Sequence, residues 1–169
     1  MPLASRVWTT GQVGFAGRAD DDSGLRSSGL TERVSSGSVR PGAASEQLRV
    51  LVLEPAAVLR NILAHALAVQ GYEVRTAERL AGLEQRVASF DPHLVVCETA
   101  LCDGIGEQVC RLMQAQGGKL VPVILMSGMP EAELEARAKA AGADRCFCKA
   151  RGLSQLLDLV EELTSAIVY

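Results

Sequence analysis

From Leu48 onward, two hydrophobic periods alternate along the chain. "LRVLVLE" is a short run of β-branched and leucine residues, and "PAAVLRNILAHALAVQ" then repeats apolar side chains every three or four positions. The first pattern predicts a strand. The second predicts a helix with Val58, Leu59, Ile62, Leu63, Ala66 and Leu67 on its inner stripe, Pro55 at its first position and Gly71 ending it. The couplet recurs. "YEVRTA" is a weaker strand before a helix carrying Leu80, Leu83 and Val87, and "HLVVCE" precedes a helix carrying Val109, Leu112 and Met113. "LVPVILMS" leads to a helix from Pro130 to Gly142, with Glu131 and Glu133 in the first turn where the helix dipole favours acids. "RCFCK" leads to a last helix with Leu153, Leu156, Leu157, Val160, Leu163 and Ile167 on one face.

Strand–helix couplets in series imply a parallel sheet covered by helices on both faces. The continuously apolar runs "VLVL", "LVV" and "VPVILM" belong at its centre, and "YEVRT" suits an edge. Right-handed crossovers then favour a flavodoxin-like α/β fold, a doubly wound (βα)5 parallel sheet of strand order 2-1-3-4-5.

Composition changes this picture only before residue 48. Residues 1–47 hold "DDDSG", "SSG", "SSGS" and "RPGAAS" with no sustained apolar period, so they are expected to form a disordered tail ahead of a domain at 48–169. Trp8 and Phe15 are that tail's aromatics, and the reading assigns them no role. Of the 169 residues, 48% are apolar, enough to build an independent core. The net charge of −3 offers no basic stripe for nucleic acid and no polybasic patch for a membrane surface. With no apolar run of spanning length and no secretory signal, the expectation is a cytoplasmic protein. The five cysteines, Cys97, Cys102, Cys110, Cys146 and Cys148, lack paired metal-ligand spacing and read as reduced, mostly buried thiols. Cys102 is the one placed for redox chemistry.

In such a sheet the carboxyl ends of the strands carry the ligand site. Glu54 ends the first strand, Glu98 and Thr99 the third, Ser127 and Gly128 the fourth, and Lys149 the fifth. Each alone is an ordinary loop opening. Together, two carboxylates, a hydroxyl and an amine on one edge form a candidate site. His65 and His93 fall away from it and are assigned no catalytic role.

On these residues, Leu48 to Thr164 resembles the receiver domain of two-component response regulators. The resemblance rests on Glu54, Arg60 six residues later, Glu98, Gly106 in "DGIG", "PVILMSG" with Ser127, and "GADRCFCK" with Lys149. It implies that the third-strand position is a phosphoacceptor, normally aspartate, fed by a histidine kinase. Two acids after the first strand and that aspartate would hold Mg²⁺. The hydroxyl and the lysine would bind phosphoryl oxygens, and an aromatic on the fifth strand would report the change.

The chain departs from this pattern at the chemistry. Glu98 replaces the phosphoacceptor aspartate, Pro55 the second metal-binding acid, and Cys146 the switching aromatic. Cys102 and Ala150 stand where the family has prolines. Mg²⁺ relies on a few well-placed carboxylates, and phosphoryl transfer depends on their positioning. The expectation is therefore no bound metal, with Glu54 and Glu98 the only residual candidates, no cofactor, and no enzyme activity. An ion pair between Glu98 and Lys149, with Ser127 donating to the same carboxylate, is expected to hold the site in one state. The reading that results is a stand-alone pseudo-receiver acting by contacts with signalling proteins, a histidine kinase or a downstream effector. No output domain is expected after Tyr169. The main alternative is a conventionally phosphorylated single-domain response regulator. A flavin-type redox protein needs a glycine-rich phosphate loop that "EPAAVLR" lacks. A metal held by Cys146 and Cys148 lacks further ligands.

Overall fold

Strand and helix alternate from Arg49 to Ser165 in the computed structural model, which describes residues 47–115 and 121–167. The elements are β1 (Arg49–Leu53), α1 (Ala57–Val69), β2 (Glu73–Ala77), α2 (Leu83–Phe90), β3 (Leu94–Glu98), β4 (Ala100–Leu101), β5 (Gly104–Ile105) and α3 (Glu107–Ala115). They continue with β6 (Val123–Ser127), α4 (Glu131–Ala141), β7 (Arg145–Cys148), a 3-10 turn (Lys149–Arg151) and α5 (Leu153–Ser165). The chain divides between Ser45 and Glu46, and all described residues belong to the second unit. The expected tail, with Trp8 and Phe15, lies outside the described residues except for Gln47. Among the described residues, no helix is long and apolar enough to cross a membrane.

The main sheet runs β2-β1-β3-β6-β7, all parallel, which is the order 2-1-3-4-5 of the five principal strands. Burial explains the order. Every residue of β3 and β6 is buried, whereas β2 alternates exposed and half-buried positions, as an edge must. One face packs Leu51, Leu53, Val95, Cys97 and Leu125 against Val87, Val109, Met113 and Ala138 from α2, α3 and α4. The other packs Val50, Val52, Val96, Ile124 and Phe147 against Leu63 and Leu67 of α1 and Leu156 and Val160 of α5.

Several local expectations shift. α1 opens at Ala57, with Ala56 as its N-cap, so Pro55 lies outside it. The Glu54 carboxylate is the cause: Oε1 accepts the Ala56 N–H at 2.9 Å and holds a turn before the helix can start. The apolar stripe read on α1 spans too much of the helix circumference for one sheet to cover. Leu63 and Leu67 are buried, but Val58 and Ile62 are exposed. Leu80 sits before α2 and packs on the core from the loop. Pro130 caps α4 from outside the helix, and Gly142 ends it at φ 73°. Ile167 lies beyond α5 and is exposed. The inward position in that last turn is Thr164, whose Oγ1 is 3.0 Å from the Tyr72 hydroxyl. The loop after β3 contains the β4–β5 hairpin, whose two-residue strands are too short to leave a periodic signal.

Candidate functional site

Parallel pairing in register brings the ends of β1, β3, β6 and β7 to one edge, and the four expected polar residues meet there or beside it. Glu54 follows β1 and is 1% exposed; Glu98 closes β3 and is 6% exposed. Buried carboxylates need donors or a cation. Both needs are met by one side chain. Lys149, in the turn after β7, reaches across β6 and places Nζ 2.8 Å from Glu54 Oε2 and 2.5 Å from Glu98 Oε2. The expected Glu98–Lys149 pair is therefore half of a triad that also includes Glu54.

The remaining carboxylate oxygens are occupied as well. Glu54 Oε1 accepts the Ala56 amide, and Glu98 Oε1 accepts the Thr99 hydroxyl at 2.9 Å and the Ala100 amide at 3.2 Å. Thr99 Oγ1 also lies 3.0 Å from Ser127 Oγ. A hydroxyl carries one proton and a carboxylate only accepts, so Thr99 donates to Glu98 and accepts from Ser127. This corrects the expectation that Ser127 serves Glu98 directly. The longer glutamate side chain bends its Oε1 back over Thr99 and Ala100, which leaves Ser127 one residue removed. The sequence shows Thr99 directly after Glu98, but nothing in it signals which of two neighbouring hydroxyls the carboxylate will choose.

The Lys149 ammonium is held above the ordinary lysine value. Partial burial works to lower it, but hydrogen bonds to Glu54 and Glu98 and their charges outweigh that cost together. Arg60 completes the neighbourhood. Its Nη1 donates to the Glu54 carbonyl at 2.7 Å and the Pro55 carbonyl at 3.0 Å, pinning the backbone that carries the first acid.

The resemblance to receiver domains implies Mg²⁺ at this edge, and the donor set can be tested against it. Every carboxylate oxygen of Glu54 and Glu98 already takes a proton donor, Pro55 offers no oxygen from a side chain, and an ammonium stands between the acids. Among the described residues no group of three or more His, Cys, Asp or Glu is placed to hold a metal ion. As arranged, these residues do not fit a hard divalent cation that demands near-octahedral oxygen ligands.

Gly106 supports Glu98 from behind. A Cβ there would meet the Glu98 carbonyl oxygen at 2.5 Å, Leu125 Cδ2 at 3.1 Å and Cys97 Sγ at 3.2 Å. Backbone cannot yield as a side-chain tip can. Gly106→Ala is expected to destabilise the domain by about 1–3 kcal/mol through overpacking, read as a lowered urea midpoint at unchanged slope. A midpoint equal to that of the unaltered protein would show the contact to be slack.

Asp103 was not singled out by sequence. Its two carboxylate oxygens accept the Leu80 and Ala81 amides, each at 2.8 Å, and tie the β4–β5 hairpin to the loop after β2. The Leu80 bond, with that of Ala81, holds this carboxyl below its usual value despite some desolvation. The Asp-Gly pair in "CDGIG" was the available signal.

Cys146 does not join the carboxylates. It packs half-buried against the α2–α4 face, and burial pushes its thiol up to about 11. The aromatic of this strand is Phe147, one residue on, and alternation turns it to the opposite face. Burial likewise raises Cys97, and it raises Cys110 to about 11, whereas Cys102 is exposed. His93 lies at the far end of β3, where Nδ1 accepts the Arg49 amide at 3.1 Å; His65 is exposed on α1.

The model of the response regulator receiver domain matches residues 50–161. SphR of Synechococcus elongatus, an alkaline phosphatase synthesis transcriptional regulatory protein, is 30% identical over 142 residues, covering 79% of this chain and 55% of SphR. The transcriptional regulatory protein KdpE of Mycobacterium tuberculosis is 32% identical over 108 residues, covering 64% of this chain and 47% of KdpE. The chain thus spans about half the length of these relatives. Among solved structures, a putative response regulator from Chloroflexus aurantiacus superposes with TM-score 0.66 at 19% identity, covering 71% of this chain and 99% of the other. The chemotaxis response regulator CheY4 of Vibrio cholerae does so with TM-score 0.63 at 19% identity, covering 69% and 98%. The sheet order, the polar edge and the matched residues lead to one conclusion: the chain belongs to the response regulator receiver domain family of two-component signalling.

Proposed function

We propose that this receiver is a pseudo-receiver, in which a permanent ion triad takes the place of phosphorylation and output comes from protein contacts. The observation that carries the reading is Lys149 bound to Glu54 and Glu98 at once. In the family pattern the lysine waits for a phosphoryl oxygen. Here a carboxylate one methylene longer than aspartate already meets it, so the site supplies its own anion. The triad links the ends of β1, β3 and β7 and favours one arrangement of the edge. Such a pair need not add net stability, because desolvation offsets attraction; its use is to select a conformation. On this reading the domain is no enzyme, needs no cofactor, and meets a histidine kinase or a downstream effector as a binding partner.

The test is incubation of the full chain with a small phosphodonor and Mg²⁺, followed by intact mass. The expected result is an unchanged mass. A gain of one phosphoryl group that hydroxylamine removes would reveal an acyl phosphate and establish the alternative, a conventionally phosphorylated response regulator. The retained Ser127 and Lys149 are what keep that alternative in play.

A further inference from the structure

Most arginines of this domain meet a carboxylate. Arg49, Arg60, Arg79, Arg137, Arg145 and Arg151 each have an acidic partner. Among the described residues, Arg75, Arg86 and Arg111 have none. The first two line the same cavity, of about 250 Å³, with Leu51, Thr76, Ser89 and Phe90. No acid lines it among the described residues.

The fold brings these two together. Arg75 of β2 stands opposite Leu51 of β1, so both side chains lie on the sheet face that α2 covers. Arg86 and Phe90 are one turn apart on α2 and share a side of it. Phe90 is buried, and the Arg75 guanidinium lies over its ring, 4.6 Å from the centroid. Stacking uses the flat face of the guanidinium and leaves its in-plane N–H groups free to fork. A further donor comes from the sheet. In the edge strand β2, the Glu73 N–H and the Ala77 carbonyl both bond toward β1, so alternation turns the Thr76 N–H to the open side. Ser89 adds no proton, because its hydroxyl donates to the Arg86 carbonyl at 3.2 Å.

Two guanidiniums without counter-ions call for an oxyanion, and their number indicates which. A carboxylate has one charge and two oxygens, and a single guanidinium fork satisfies it. A phosphate monoester carries nearly two charges at neutral pH and three acceptor oxygens, enough to engage both arginines. The buried Leu51 and Phe90 give the ester's organic group an apolar floor. The cavity is smaller than the ~300–1,000 Å³ of drug-sized sites, so that group is a single ring or a short chain. We propose that this cavity binds a small phosphate monoester through Arg75 and Arg86, with its organic group against Phe90. None of the lining residues belongs to the carboxylate edge, and the proposal stands whether or not the receiver is phosphorylated.

Phenyl phosphate titrated into the ¹⁵N-labelled full chain without Mg²⁺, followed by NMR, reads the binding. The expected dissociation constant is on the order of 100 µM, with shifts at the Thr76 amide and the Arg75 and Arg86 side chains and none at Ser127. Benzoate and inorganic phosphate are expected to bind at least tenfold more weakly, the first for want of charge and the second for want of an apolar group. Arg86→Gln is expected to weaken phenyl phosphate at least tenfold at an unchanged thermal midpoint. Arg111→Gln, which removes an unpaired charge from α3, is expected to leave the affinity as it was. Shifts that gather at Ser127 and Lys149 would place the ester in the receiver's own phosphate position and overturn the proposal. So would no saturable shift up to about 10 mM, equal weakening by the two arginine variants, or benzoate or inorganic phosphate binding as tightly as the ester.

Discussion

Lys149→Met is expected to cost about 3 kcal/mol, the lower end of the penalty for breaking a buried ion pair, because the lysine keeps 27% of its side chain exposed. For a domain of this size that lowers the thermal midpoint by about 10 °C. The cause is what remains: Glu54 and Glu98, nearly sealed from water, face each other without a cation. Glu54→Gln/Glu98→Gln/Lys149→Met, which removes both partners' charges as well, is expected to regain most of the loss. If the triple variant is no more stable than Lys149→Met, the triad does not govern this edge. In the unaltered protein the ammonium's pKa is raised on folding. Its contribution is therefore whole below the ordinary lysine value of 10.5 and is lost as pH rises through the higher folded value.

Pro55→Asp/Glu98→Asp is expected to turn the same edge toward Mg²⁺. Shortening Glu98 withdraws its oxygen from Lys149, and an aspartate at 55 adds a carboxylate where the proline offers none. Two aspartates then join Glu54, and a third carboxylate meets the requirement that the present pair fails. Titration calorimetry with MgCl₂ should show affinity at least tenfold above that of the unaltered protein, and the phosphodonor assay should yield a hydroxylamine-labile mass gain. Equal Mg²⁺ affinity in both proteins would mean that geometry is not what excludes the ion.

These expectations rest on features of unequal legibility. The strands could be read because β3 and β6 are buried throughout and carry unbroken apolar runs, and β2 could be placed at an edge because its pattern alternates. Glu54, Glu98, Ser127 and Lys149 were findable as strand ends. Their pairing was not. Glu54 and Lys149 are 95 positions apart, and no local pattern reports that one ammonium serves both acids. Nor does local pattern rank Thr99 above Ser127 as the donor to Glu98. The α1 stripe misled for the same reason: six apolar positions say that a helix has a core face, but only the packed sheet decides which of them it covers.

Periodicity and strand-end chemistry, both written locally, thus determined the α/β architecture, its strand order and the cast of polar residues at one edge. Tertiary structure alone decided that Lys149 serves both Glu54 and Glu98, and which apolar positions of α1 the sheet leaves exposed. Each of those depends on distances between segments remote in sequence, which the chain acquires only when the sheet has assembled.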